Sequence, residues 1–209
     1  MKKEKNFIIN AILILLALIF TILVKVVDVR VIGVNGSSIG FALINQFVFE
    51  MIGVNMIWYH ITDWLGLAPI FIAMIYAVIG VIQLIKRKNI FKVDKEIIIL
   101  GLFYILVIFL YVFFEKVVIN YRPILINGFL EPSYPSSHTL ITICLCGSSI
   151  MVNRKLFNNK ITKIANILSI TIIVVTVIGR LVSGVHWFTD IIGGILVSIA
   201  LLRTLYSLI

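Results

Sequence analysis

Three separated stretches of this chain put chemically able side chains at the ends of apolar runs: Arg122-Pro123, Pro135-Ser136-Ser137-His138 and Gly179-Arg180-x5-His186-x3-Asp190. Ionisable groups in or beside a bilayer are costly and mark a functional site by default. Arg122 and Arg180 carry planar forks that grip phosphate oxygens two at a time. Pro135–His138 reads as a helix start, where free backbone N–H groups and the helix dipole favour an anion. Ser136 or Ser137 adds a hydroxyl there. His186 and Asp190, spaced i, i+4, share one helix face. A carboxylate bonded to one ring nitrogen fixes the tautomer and leaves the other free to attack. His138, on another helix, is placed to protonate a leaving alcohol and then to activate water. Charge stabilisation, a nucleophile and a proton donor together point to phosphoryl transfer.

The elements that must carry these residues are membrane helices. The 209 residues are 61% hydrophobic and 13% charged, with a mean hydropathy of +1.16. Soluble chains are about 45–50% apolar and about 25% charged. A spanning helix needs about 17–25 residues. Phe7–Val24, Trp64–Ile85 and Ile97–Phe114 meet that length without a charge. Ser137–Val152, Ile164–Gly179 and Trp187–Leu202 are less clean, and the last contains Asp190. The expected fold is therefore all-α, an integral membrane domain of six transmembrane helices covering 1–209, with the motif-bearing core at about 97–207. The first run is longer than a signal h-region, and Val24-Lys25-Val26-Val27 is a poor cleavage site, so it is read as a retained span. Ile39–Trp58 is apolar but holds Asn45, Gln46, Glu50 and Asn55, which fits an additional outer interfacial helix. Trp58, Tyr59 and Trp64 then form an aromatic belt.

The net charge of +9 sets topology and does not indicate nucleic acid. Most of the 18 basic residues fall before the first span, in Lys86–Lys95, in Arg154–Lys163 and at Arg203, all on one side of an alternating six-span chain. By the positive-inside rule that side is cytoplasmic, so both termini face in and every motif faces out. At about 1.5 Å per residue, His138 to Arg154, Lys160 to Arg180 and His186 to Arg203 measure roughly 24, 30 and 26 Å. Each motif thus lies about one hydrocarbon thickness, roughly 30 Å, from a basic anchor. Three helices put their reactive ends at one depth, which predicts a composite site.

Other residues have plainer readings. An arginine at a membrane edge usually snorkels, but Arg180 stands in register with His186 and Asp190. An unpaired carboxylate in a span costs about 2.5 kcal/mol or more, so Asp190 demands a partner. His60, Asp63, Glu50 and Glu131 are read as solvated, Gly193-Gly194 as a close-packing step, and Trp187 as an interface anchor. Cys144 and Cys146 are packing residues, and no Cys/His spacing indicates zinc.

The three blocks resemble the type-2 phosphatidic-acid phosphatase superfamily, whose pattern is Lys-x6-Arg-Pro, Pro-Ser-Gly-His and Ser-Arg-x5-His-x3-Asp. Ser137 stands for Gly and Gly179 for Ser. The resemblance implies His186 as nucleophile through a phosphohistidine, Asp190 as its orienter and His138 as acid then base. It implies Arg122, Arg180 and Ser136 as phosphate ligands, and neither metal nor other cofactor. The family lysine position is Glu115, with Lys116 its neighbour roughly 100° further round a helix. Either Lys116 serves or the site lacks that cation; Glu115 is also placed to hold Arg122.

These expectations make the chain a metal-independent lipid phosphatase of the cell membrane, acting at the outer face. Polyprenyl diphosphate, phosphatidic acid and phosphatidylglycerol phosphate are the candidate substrates. The alternatives are a lipid phosphotransferase with the same site and a catalytically impaired lipid-binding or transport protein.

Overall fold

The computed structural model describes residues 2–157 and 159–209, with side chains from residue 4 onward, so the expected inner anchors Lys2 and Lys3 lie outside the described side chains. Among the described residues eight α-helices form: α1 (Lys2–Val26), α2 (Ala42–Ile52), α3 (Met56–Leu65), α4 (Leu67–Arg87), α5 (Lys95–Lys116), α6 (Ser137–Leu156), α7 (Lys160–Val182) and α8 (Phe188–Leu208). A two-stranded antiparallel ribbon, Arg30–Val31 with Ser38–Ile39, follows α1. The all-α expectation is met. Among the described residues, five helical segments are long and apolar enough to cross a membrane: Glu4–Val26, Met56–Arg87, Lys95–Lys116, Lys160–Val182 and Phe188–Leu208. Their outward faces carry Phe7, Ile22, Phe71, Ile105, Phe109 and Ile167, all more than half exposed, the surface a lipid tail wets. The chain is a multi-pass membrane protein.

α6 is the helix whose composition falls short of an ordinary span, and its place explains why. It packs against α4, α5, α7 and α8, with Thr139, Thr142, Ser148, Ser149 and Asn153 buried. Its polar groups are turned to protein, where they find partners. Tyr76 Oη donates to Asn153 Oδ1 at 2.7 Å, Asn153 Nδ2 donates to Asn166 Oδ1 at 2.9 Å, and Ser149 and Ser169 hydroxyls meet at 3.4 Å. Lipid tails are as apolar as leucine, so close packing and such hydrogen bonds hold helices together here. The apolar partners are Leu100, Phe103 and Val107 of α5, Leu140, Cys144 and Val152 of α6, and Leu205 of α8. Both cysteines are free and fully buried, as packing residues should be.

The two ends of the bundle differ in kind. At one, basic side chains bind the chain to itself: Arg203 to Asn6, Arg87 to Asp94 and Lys155 to Glu96. At the other, Lys25 donates to Val118 and Ile119 carbonyls, and Thr21 meets Tyr134 Oη at 2.8 Å, so the ends of α1 and α5 gather at the start of α6. The expected single interfacial helix is two. Gly53, at φ +70°, ends α2 with a conformation that favours glycine. Asn55 restarts the chain as the cap of α3, accepting from Ile57 and Trp58 amides. Asn45, expected at water, is buried and clips α2 to α8: it donates to Thr189 Oγ1 and accepts from Thr189 N.

Candidate functional site

Arg122, His138, Arg180, His186 and Asp190 converge at the end of the bundle opposite the basic anchors. Each reaches it for a local reason. Arg122 rides on a hairpin between α5 and α6. Asn127 and Gly128, at φ +50° and +81°, make a two-residue turn closed by Ile126 and Phe129. Such a turn demands positive φ at both central positions, and Asn-Gly is its preferred pair. The ladder continues through Arg122 N to Glu131 O and Ser133 N to Asn120 O. It delivers Asn120, Arg122 and Ser133 side by side. Trp187 Nε1 locks the hairpin by donating to Tyr121 O at 2.8 Å; Trp187 is 3% exposed, a buried strut and not the interface anchor expected of it.

His186 lies in the turn before α8, and the shared helix face expected for His186 and Asp190 is not what joins them. Asp190 is the third residue of α8, and its Oδ2 accepts from Trp187 N at 2.9 Å, capping the helix. His186 Nδ1 is 4.0 Å from Asp190 Oδ2, too far for a direct bond. Ser133 Oγ fills the gap, donating to Asp190 Oδ2 and lying 3.0 Å from His186 Nδ1. A hydroxyl has one proton. Given to Asp190, it leaves Ser133 to accept from Nδ1–H. Arg122 Nη1, which can only donate, lies 3.5 Å from His186 Nε2. Both contacts assign the same tautomer: proton on Nδ1, lone pair on Nε2. Burial first, then the charges of Arg122, Arg180 and His138, holds His186 well below the usual histidine range, so the ring is neutral. Asp190, fully buried, also accepts from Asn120 Nδ2 at 3.3 Å.

Arg180 ends α7 with no exposed surface. Its guanidinium stacks on the Tyr59 ring, 5.2 Å from the centroid, and Nη2 meets Asp63 Oδ1 at 3.1 Å. Nε and Nη1 are buried without a hydrogen-bond partner among the described residues. Buried donors without partners are rare and call for an explanation such as a ligand. Arg122 Nε pairs with Glu131 Oε2 at 3.0 Å, so Glu131, read as solvated, and not Glu115, holds that arginine. Ser136 is the cap of α6, its Oγ accepting from Thr139 N, while its own N donates to Asp190 O. Accepting there leaves the Ser136 O–H proton to donate elsewhere. The first turn also offers the Ser137 and His138 amides and the Ser137 hydroxyl.

A narrow cleft opens beside His186, walled by Tyr111, Phe114, Glu115, Ser133, Ser137 and Leu140. Glu115 takes the place expected for a lysine, and exposed Lys116 is not part of the wall. Ser133, Asn120 and Asp63 are the site residues that sequence reasoning missed. Asn127-Gly128 between apolar residues was the available signal for the hairpin that brings the first two.

A PAP2 superfamily model matches residues 97–209, which contain all five of the converging residues. Among solved structures, the crystal structure described as the first transmembrane PAP2-type phosphatidylglycerolphosphate phosphatase, from Bacillus subtilis, is similar over 94% of this chain and 93% of its own. The TM-score is 0.62 at 19% identity, a likeness of fold. A search of curated proteins finds no match.

Proposed function

Because the chain belongs to the PAP2 superfamily, we propose that it is a membrane lipid phosphatase working through a phosphohistidine on His186. The observation that carries the reading is the setting of that ring: Nδ1 is held through Ser133 to Asp190, and Nε2 faces Arg122 at 3.5 Å. A packing histidine needs no such preparation. Phosphate oxygens are taken by Arg122, by the unpartnered donors of Arg180, and by the first-turn amides of α6. Nε2 attacks phosphorus, the P–O bond to the leaving group breaks, and His138 gives that oxygen a proton. His138 then takes a proton from water, whose oxygen attacks phosphorus; the P–N bond breaks and phosphate leaves. Asp190 remains ionised throughout and stabilises the imidazolium character that develops on His186.

The substrate is a lipid phosphate monoester or diphosphate whose tail stays in the bilayer, since the cleft lies where apolar helix faces meet the polar end. Phosphatidylglycerol phosphate is the first to try, with phosphatidic acid and polyprenyl diphosphate beside it. Apolar grooves discriminate poorly by tail length. Charge asymmetry puts the basic end in the cytoplasm, the termini with it, α1, α4, α5, α6, α7 and α8 across the membrane, and the site at the outer face. The test is phosphate release in detergent with EDTA across these lipids. Release that survives EDTA and disappears in His186→Ala is expected. No release from any of them overturns the reading.

A further inference from the structure

Asp63 has no place in the three motifs and lies outside residues 97–209, yet it reaches two of their residues at once. One oxygen, Oδ1, stands 3.3 Å from His138 Nε2 and 3.1 Å from Arg180 Nη2. The helix that carries it is fastened to the site. Asn55 N donates to Ser183 O at the start of α3, and Thr62 and Trp58 lie against Gly179 of α7. At the far end, a Cβ on Gly66 would come within 2.9 Å of His138 Cδ2, so glycine is what lets the α3–α4 junction close over the ring. The carboxylate's approach is therefore set by packing at both ends of α3.

We propose that Asp63 is the positioning residue that orients His138 and favours its protonated form before substrate arrives. The proposal rests on the reading of His138 as proton donor. The charged groups facing His138 are Arg180 from α7, Arg122 from the hairpin and Asp63 from α3, with neutral His186 behind. Glu131 is engaged by Arg122, and Asp63 is the acidic group in contact with the imidazole among the described residues. Its carboxylate accepts Nε2–H in the resting enzyme. Asp63 is half exposed, while the His138 side chain is three-quarters covered and Arg180 is fully covered. It is thus free to turn outward when a phosphate ester brings its own anion to Arg180, and the leaving oxygen then takes its place at Nε2.

A group that acts only in the free enzyme leaves a particular kinetic mark. The pH dependence of kcat/KM reports the free enzyme, and that of kcat the complex. Asp63→Asn should move the base-side limb of kcat/KM down by about one pH unit, the low end for a contacting opposite charge, and leave the limb of kcat in place. Asp63→Glu should restore most of the shift. The chain has three histidines, so ¹⁵N-histidine spectra of the detergent-solubilised protein follow His138 directly, and its titration midpoint should fall by the same unit in Asp63→Asn. A midpoint and a kcat/KM limb that stay put, whether activity drops uniformly or rises, overturn the proposal. The spectra do not depend on turnover. A shifted midpoint in a protein that hydrolyses no lipid keeps the pair and sinks the phosphatase reading instead.

Discussion

The two ends of α6 bury polar groups in opposite ways. Toward its C-terminal end, Tyr76, Ser149, Asn153, Asn166 and Ser169 satisfy one another across three helices. At its N-terminal end, Arg180 Nε and Nη1 and His138 Nδ1 are buried with no hydrogen-bond partner among the described residues, and His186 Nε2 keeps a lone pair 3.5 Å from an arginine. A satisfied buried network stabilises and specifies a fold, whereas an unsatisfied one stores interactions for something absent. Both regions are polar patches in a membrane protein, and the pairing of these atoms differs between them.

Substitutions should divide along that line. His186→Ala at the site removes the nucleophile and should cost at least about 10³-fold in phosphate release while the detergent-solubilised protein melts normally. Arg180→Ala should cost about 10²–10³-fold, the scale of losing one preorganised donor to developing charge. Ser133→Ala breaks the link between His186 and Asp190 and should cost about tenfold, with Ser133→Thr recovering most of it. Substitutions in the paired network should behave in reverse. Tyr76→Phe should lower stability by about 0.6 kcal/mol, typical of a hydrogen bond between membrane helices, and leave kcat within about twofold. A large kcat loss in Tyr76→Phe with an unchanged melt would erase the distinction.

The pH response sharpens it further. The His186 ring is held neutral well below pH 6.5, so the acid-side limb of kcat/KM should lie well below that value. The same burial has a cost to the fold. Unfolding frees the ring to take up a proton, so stability is full above about pH 6.5 and declines as pH falls toward the depressed folded-state value. Thermal melts from pH 7 to 5 should fall less steeply in His186→Gln. The smallest effects belong to the cleft mouth. Glu115→Lys places a cation on the wall beside His186 and should raise kcat/KM for a monoester dianion by up to about tenfold, whereas Lys116→Ala should change it less than twofold.

Much of this was legible in residue spacing. Helix lengths placed His138, Arg180 and His186 at one depth, and the structure brings them together with Arg122 and Asp190 at one end. What spacing could not supply was the connection between helices. The i, i+4 relation of His186 and Asp190 pointed to a direct bond, but a cap at Trp187 turns the carboxylate along the helix start, and Ser133 spans the remainder. Asp63 read as solvated because half of it is, and its partners lie 75 and 117 positions away in the chain. Asn45 and Trp187 read as interfacial for the same reason: their burial depends on where α2 and the hairpin dock.

The central claim is that His186 Nε2 becomes bonded to phosphorus. Mixing the enzyme with a ³²P-labelled lipid phosphate, quenching within milliseconds in alkali and mapping the label by mass spectrometry tests it most directly. Label on the peptide containing His186, stable to base, released by acid and still formed in EDTA, is the predicted result. Steady phosphate release without any label on His186, under conditions that trap a known phosphohistidine, would contradict the account.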